Sequence, residues 1–167
     1  MIVLVGVILF LSPSTAEAVP SESKKSTPPK DQKYVGAKEC GSCHVKAFAE
    51  WQKTGHSRAF GVLTEKYEKD PKCLGCHTTG YGKPSGYKDA SDSHLKGVTC
   101  EVCHGPGSKH TEICKAFGDK ELTEEEEELA EHSIYEILPK NVCIHCHTRM
   151  AHKGSKTPEE LRHRKKH

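Results

Sequence analysis

The sequence predicts a mainly α-helical chain with long irregular loops, organised around bound groups rather than an oily interior. Three observations lead there. Hydrophobic residues make up 34% of the 167 residues and aromatics only 6%, too little for a core made of protein alone. The apolar residues present fall at helical spacing in short runs, separated by stretches bearing glycine and proline. One five-residue unit, Cys-x-x-Cys-His, occurs at Cys40–His44, Cys73–His77, Cys100–His104 and Cys143–His147.

In an exported chain this unit reads as c-type haem attachment. Cys40 and Cys43, Cys73 and Cys76, Cys100 and Cys103, and Cys143 and Cys146 would form thioethers to the porphyrins. His44, His77, His104 and His147 would be the proximal iron ligands. Four histidines after four random Cys-x-x-Cys pairs would arise roughly once in several tens of thousands of trials. Zinc also uses paired cysteines but does not need a histidine directly after each pair. A disulfide within Cys-x-x-Cys closes a tight, strained loop. The fold class is therefore a small multihaem c-type cytochrome organised around four covalently bound haem c groups, whose porphyrin faces supply the missing apolar surface.

The elements follow in order. Ile2 to Leu11 form an apolar run too short to span a bilayer, and Ala16-Glu17-Ala18 supplies a small-x-small cleavage site, so residues 1–18 read as a signal peptide. Residues 19–33, rich in Ser, Lys and Pro, read as a flexible linker. The tetrahaem domain then covers 34–167, with no membrane span in the mature chain. Val45, Phe48, Trp51 and Gln52 keep helical spacing up to a stop at Gly55, which leaves His56 just beyond the rod. A second helix is expected over Phe60 to Lys69, ended by Pro71. Thr78 to Gly97 is an irregular loop expected to wrap a haem edge with Tyr81 and Tyr87. Thr123 and Glu126 form a capping box for a helix carrying Leu129, His132, Ile134 and Leu138 and ended by Pro139.

Charge excludes a nucleic-acid role. The formal +2 becomes about +3 once residues 1–18 are removed, since only Glu17 is charged there. Two ionised propionates per haem would add about −8, leaving the holoprotein near −5.

Eight histidines lie outside the proximal positions: His56, His94, His110, His132, His145, His152, His163 and His167. Of the two methionines, Met1 lies in the leader and Met150 three residues after a proximal ligand, so bis-histidine ligation is expected. His110 follows the sharp Gly105-Pro106-Gly107 turn, and His56 ends a rigid rod; both are expected to reach haems other than their nearest. His94 and His132 are further candidates. His145, held between two anchored cysteines, faces away from its own iron. Cys114, the ninth cysteine, reads as an inert buried thiol or a redox-active one.

Three stretches carry a resemblance: Trp51-x-x-Thr54-Gly55-His56, the run from Cys73 to Tyr87, and Gly97-Val98-Thr99-Cys100-Glu101-Val102-Cys103-His104-Gly105-Pro106-Gly107. Over about residues 34–147 the chain resembles the cytochrome c-554 family, whose namesake accepts electrons from hydroxylamine oxidoreductase in ammonia oxidisers. The resemblance implies a helical, loop-rich fold with closely packed haem pairs. It implies that His56 ligates the third haem, opposite His104, and His110 the first, opposite His44. It also implies a five-coordinate second haem on His77, open to a small ligand such as nitric oxide. Two departures bear on this. Only twenty residues follow His147, so the fourth iron needs His132, His152, a tail histidine or a partner's residue. His94 has no counterpart and could close the second haem.

The function expected is a periplasmic electron carrier working between redox protein partners. The alternatives are reduction of nitric oxide or another nitrogen oxide at one open haem, and a subunit of a conductive oligomer.

Overall fold

The computed structural model describes residues 28–138 and 141–148. Its α-helices are α1 (Ala37–Gly41), α2 (Val45–Gln52), α3 (Pro71–His77), α4 (Cys100–His104), α5 (Ser108–Phe117) and α6 (Glu124–Glu131), with 3₁₀ turns at Ser93–Leu95 and Val142–His145. Among the described residues the only β-pairing outside helices and turns is one antiparallel bridge, Thr78 with Lys96. No helix among them is long and apolar enough to cross a membrane. The helical, loop-rich fold class holds. The signal peptide, Pro139, Met150 and the tail histidines lie outside the described residues.

Helix α2 forms where the apolar spacing puts it. Phe48 stacks on Trp51 at 5.5 Å between ring centroids, and the Trp51 indole donates to the Val98 carbonyl at 2.9 Å. This pins the rod to the segment leading into the third Cys-x-x-Cys-His unit. The expected helix over Phe60 to Lys69 is not formed; residues 57–69 make successive turns. Pro71 begins α3 instead of ending a helix. Asp70 caps it by accepting from the Lys72 amide at 2.9 Å, and proline suits the first turn because its missing N–H has no helical partner there.

The tyrosines of the loop after His77 pack on a small apolar cluster. Tyr87 is buried against Phe60, Leu74 and Leu95, with its ring 5.7 Å from that of Phe60, and Tyr81, Tyr34 and Leu63 pack on this cluster. Buried Thr79 and Thr99 share a 3.0 Å hydroxyl bond beside it. Apolar side chains prefer one another when the loop is long enough to bring them together.

Helix α6 has the capping box, with Thr123 and Glu126 bonded reciprocally. It is shorter than the spacing suggested and ends at Glu131. The turn after it lets Tyr135 and Leu138 close over Gly105, and Ile134 over Gly107. Gly105 has φ +78°, a left-handed conformation that a side chain would resist. The end of the expected linker is already part of the body: Gln32 bonds Ser133 and Lys109, and Lys33 bonds Ser108 at the start of α5.

Candidate haem sites

All four units take one local shape. Residues i, i+3 and i+4 of a helical turn lie on one side of it, so two sulfurs and an imidazole emerge together. The second and third units lie inside α3 and α4. In the first and fourth, the histidine amide bonds the carbonyl of the first cysteine, at 2.8 Å for His44 and 2.9 Å for His147.

His110 returns to the first unit on α5. Its ring centroid stands 6.0 Å from that of His44, with the planes 13° apart. Two metal–imidazole bonds of about 2 Å each, with the ring radii added, give roughly that separation across a shared ion. The Ser133 hydroxyl donates to the Ala130 carbonyl at 2.6 Å, and its oxygen lies 2.9 Å from His110 Nδ1. With Ala130 O at 3.1 Å from the same nitrogen, Nδ1 carries the proton and Nε2 is left for a metal. Burial lowers the His110 pKa, outweighing the bond to Ala130, and His44 and His104 add to the effect. The result is the neutral ring that a metal ligand must be.

The proximal histidines use the same device. His104 Nδ1 lies 3.1 Å from the Tyr135 carbonyl, and His77 Nδ1 is bonded to the Ala59 carbonyl. Each tether fixes ring orientation and tautomer.

His56 meets the fourth unit. Its ring centroid is 5.9 Å from that of His147, with the planes 59° apart. Both rings can contain one metal axis whatever their mutual twist, so the tilt is no obstacle. The resemblance pairs His56 with His104; the geometry sets it against His147, because α2 is anchored alongside the chain entering the third unit and its end projects past it.

The other candidates stand elsewhere. His94 packs on Gly36, where an added Cβ would fall 2.6 Å from the His94 carbonyl and 3.2 Å from its Cβ. It is thus set beside the start of α1. His132 caps the C-terminus of α6 with Nδ1 3.7 Å from Glu128, since the helix stops one residue before it. His145 is exposed, and its carbonyl lies 4.0 Å from Cys76 Sγ. Cys114 lies one turn beyond His110, with Sγ 3.7 Å from His110 Nε2; burial raises its thiol pKa, as does Cys43 nearby.

The units adjoin out of chain order. Helices α1 and α4 are in contact, and the Cys40 and Cys100 thiols influence each other, raising the pKa of Cys40 and lowering that of Cys100 to about 7. Burial, followed by a bond with Cys76, pushes Cys146 up to about 12. Cys103 and Cys143 are also close enough for burial and mutual repulsion to raise Cys103. The spatial series is therefore first, third, fourth, second.

A carboxylate closes the first–third junction. Glu101, only 1% exposed, accepts from the amides of Val35 at 3.0 Å, Gly36 at 2.8 Å and Gly107 at 2.9 Å. Sequence reading passed over it. The available signal was a charged side chain inside a haem unit, four residues before a glycine-rich turn with amides to satisfy.

Comparison with known proteins bears on this arrangement directly. The model of the family described as "Cytochrome c554 and c-prime" matches residues 39–105. Cytochrome c-554 of Nitrosomonas europaea is 34% identical over 94 residues, which are 46% of this chain and 40% of that protein. The structure of the reduced state of cytochrome c554 from Nitrosomonas europaea aligns with a TM-score of 0.54 at 28% identity, covering 77% of this chain and 73% of that one.

Residues 39–105 thus carry that family's pattern, and the chain is similar to cytochrome c-554.

It spans about 40% of the length of the curated cytochrome c-554 that it matches. The family match contains the first three units, and the fourth lies downstream of it. Its four Cys-x-x-Cys-His units, taken with this likeness, make the chain a tetrahaem c-type cytochrome with covalently bound haem c. The residues present fit that group. Two pairs of imidazoles, His44 with His110 and His56 with His147, stand 6.0 and 5.9 Å apart between ring centroids, a spacing at which each pair could share an ion. Among the described residues no three or more His, Cys, Asp or Glu side chains converge on one point, as a zinc ribbon would require.

Proposed function

We propose that this cytochrome c-554 relative is an exported, periplasmic electron carrier that passes electrons between redox protein partners. The observation that supports it best is the approach of His110 to His44, their ring centroids 6.0 Å apart and planes 13° apart, so that the two imidazoles would hold one iron between them. When bound, haem c supplies reversible one-electron exchange between ferric and ferrous iron.

The chain's own residues do the rest. The eight unit cysteines anchor the groups, and His44, His77, His104 and His147 are the proximal ligands. His110 and His56 would supply second ligands opposite His44 and His147, and a site closed by two histidines would admit no substrate without losing one. The carbonyls of Tyr135, Ala59 and Ala130 hold the imidazole protons in place. Contacts between the cysteines of different units keep neighbouring sites within reach of each other. The leader at 1–18 would deliver the chain to the compartment where haem is attached, ahead of a haem domain over 34–167.

Electron paramagnetic resonance of the oxidised holoprotein, with carbon monoxide titration of the reduced form, tests this. Low-spin signals from the sites of His110 and His56 are expected, and neither iron should take up carbon monoxide. High-spin iron at all four sites, with four carbon monoxide bound per chain, would overturn the reading. Haem staining of a fractionated native host tests the compartment, and pigment confined to the cytoplasm would contradict it.

A further inference from the structure

Glu101 stands where three chain segments meet. It belongs to α4, within the third unit. Val35 and Gly36 lead into α1 and the first unit, and Gly107 ends the turn that launches α5 with His110. One carboxylate thus receives amides from both approaches to the first site while being covalently part of the third. Every one of these bonds is donated to it, the pattern of an ionised carboxylate, which has no proton to give.

A backbone-satisfying role alone does not require a charge. An uncharged polar side chain, or a glycine with water, could serve loop amides at a surface. Here the group is buried, among the described ion pairs none involves it, and its nearest prosthetic neighbours would be the first and third haems. A charge in a low-dielectric setting acts over greater effective range than one in water. Negative charge favours the ferric over the ferrous state.

We propose that Glu101 is a positioning and potential-setting residue for the first and third haems together, holding both at lower potential than they would have without it. The proposal rests on the reading of the units as haem sites for electron transfer. Its geometry is specific: the second and fourth units meet where Cys76 Sγ lies 4.0 Å from the His145 carbonyl, and neither unit donates to the Glu101 carboxylate. The consequence is a potential difference along the series, set by one side chain that no iron touches.

Spectroelectrochemical titration of holoprotein carrying Glu101→Gln tests it, with haem content counted beforehand by pyridine haemochrome. Four haems per chain confirm the units; fewer in the wild-type protein would refute the underlying reading without bearing on Glu101. Two of the four midpoints are expected to rise, each by a tenfold or larger change in the reduction equilibrium, 59 mV for a one-electron couple. The low-spin resonance signals should be unchanged, because the ligands remain. Four unchanged midpoints, or an equal shift of all four, would overturn the proposal. Should the glutamine variant not mature, Glu101→Asp decides. With the charge kept, four haems and wild-type midpoints are expected. A raised pair of midpoints, or loss of maturation despite the retained charge, would show that side-chain length alone matters.

Discussion

A histidine that binds iron must be neutral, must offer the correct nitrogen and must be held still. His110 meets these demands through burial and through Ser133 and Ala130 on its Nδ1. His110→Ala should therefore convert one low-spin iron per chain to high spin and create one carbon monoxide site, read by resonance and by gas titration. Ser133→Ala is milder because Ala130 still accepts the proton. About tenfold faster carbon monoxide capture at that iron is expected, the lower end for removing an outer-sphere partner, measured by stopped flow. The approach of His110 to His44 follows a turn that the sequence announces, Gly105-Pro106-Gly107. The places of His94 beside Gly36 and of His132 at the end of α6 depend on tertiary packing that a histidine count does not carry. Glu101 escaped because its partners are backbone amides of residues 35, 36 and 107, which no side-chain pattern advertises.

At the scale of elements, short helices carry the sites, so their ends matter more than their lengths. Helix α6 depends on its capping box, and Thr123→Ala should cost about 1 kcal/mol of local stability, seen as faster hydrogen exchange at Glu126 and Glu127. Its pH dependence has a definite sign. The bond from Lys120, then the Thr123 amide, hold Glu126 below the ordinary carboxylate value of 4.5. Above that value the box is complete; its contribution fades as pH falls through the lower folded-state pKa, when Glu126 protonates. Exchange at α6 that speeds up on raising the pH from 5 to 7, beyond the intrinsic chemistry, would contradict this. The capping box and α2 were legible because their cues are local. Pro71 was misread because proline signals a boundary without saying on which side the helix lies, and Asp70 decides that. The short end of α6 could not be foreseen, since Tyr135 and Leu138 leave the helix to cover a glycine far away in sequence.

For the whole molecule the limiting quantity is apolar burial. Among the described residues only Ala37, Phe60, Leu74, Tyr87 and Leu95 are buried hydrophobics, while Val45, Val62, Leu129, Ile137 and Ile144 remain well exposed. A core of that size cannot offset the conformational entropy of ordering the chain. Chain produced without haem attachment should lack a cooperative thermal transition and be cut rapidly by protease, whereas the holoprotein melts cooperatively. A sharp calorimetric transition in the haem-free chain would refute this dependence. The composition announced it, since 6% aromatic residues left the interior unaccounted for.

The contacts of Cys40 with Cys100, Cys103 with Cys143, and Cys76 with Cys146 arrange the sites differently from the order in which a ribosome makes them. The two units synthesised first occupy the extremities of the series, and the two synthesised last bridge them. A nascent chain halted midway would own an entrance and an exit with nothing joining them. Conduction from end to end thus begins only when the last-made unit is in place, and incomplete copies carry pigment without completing a circuit.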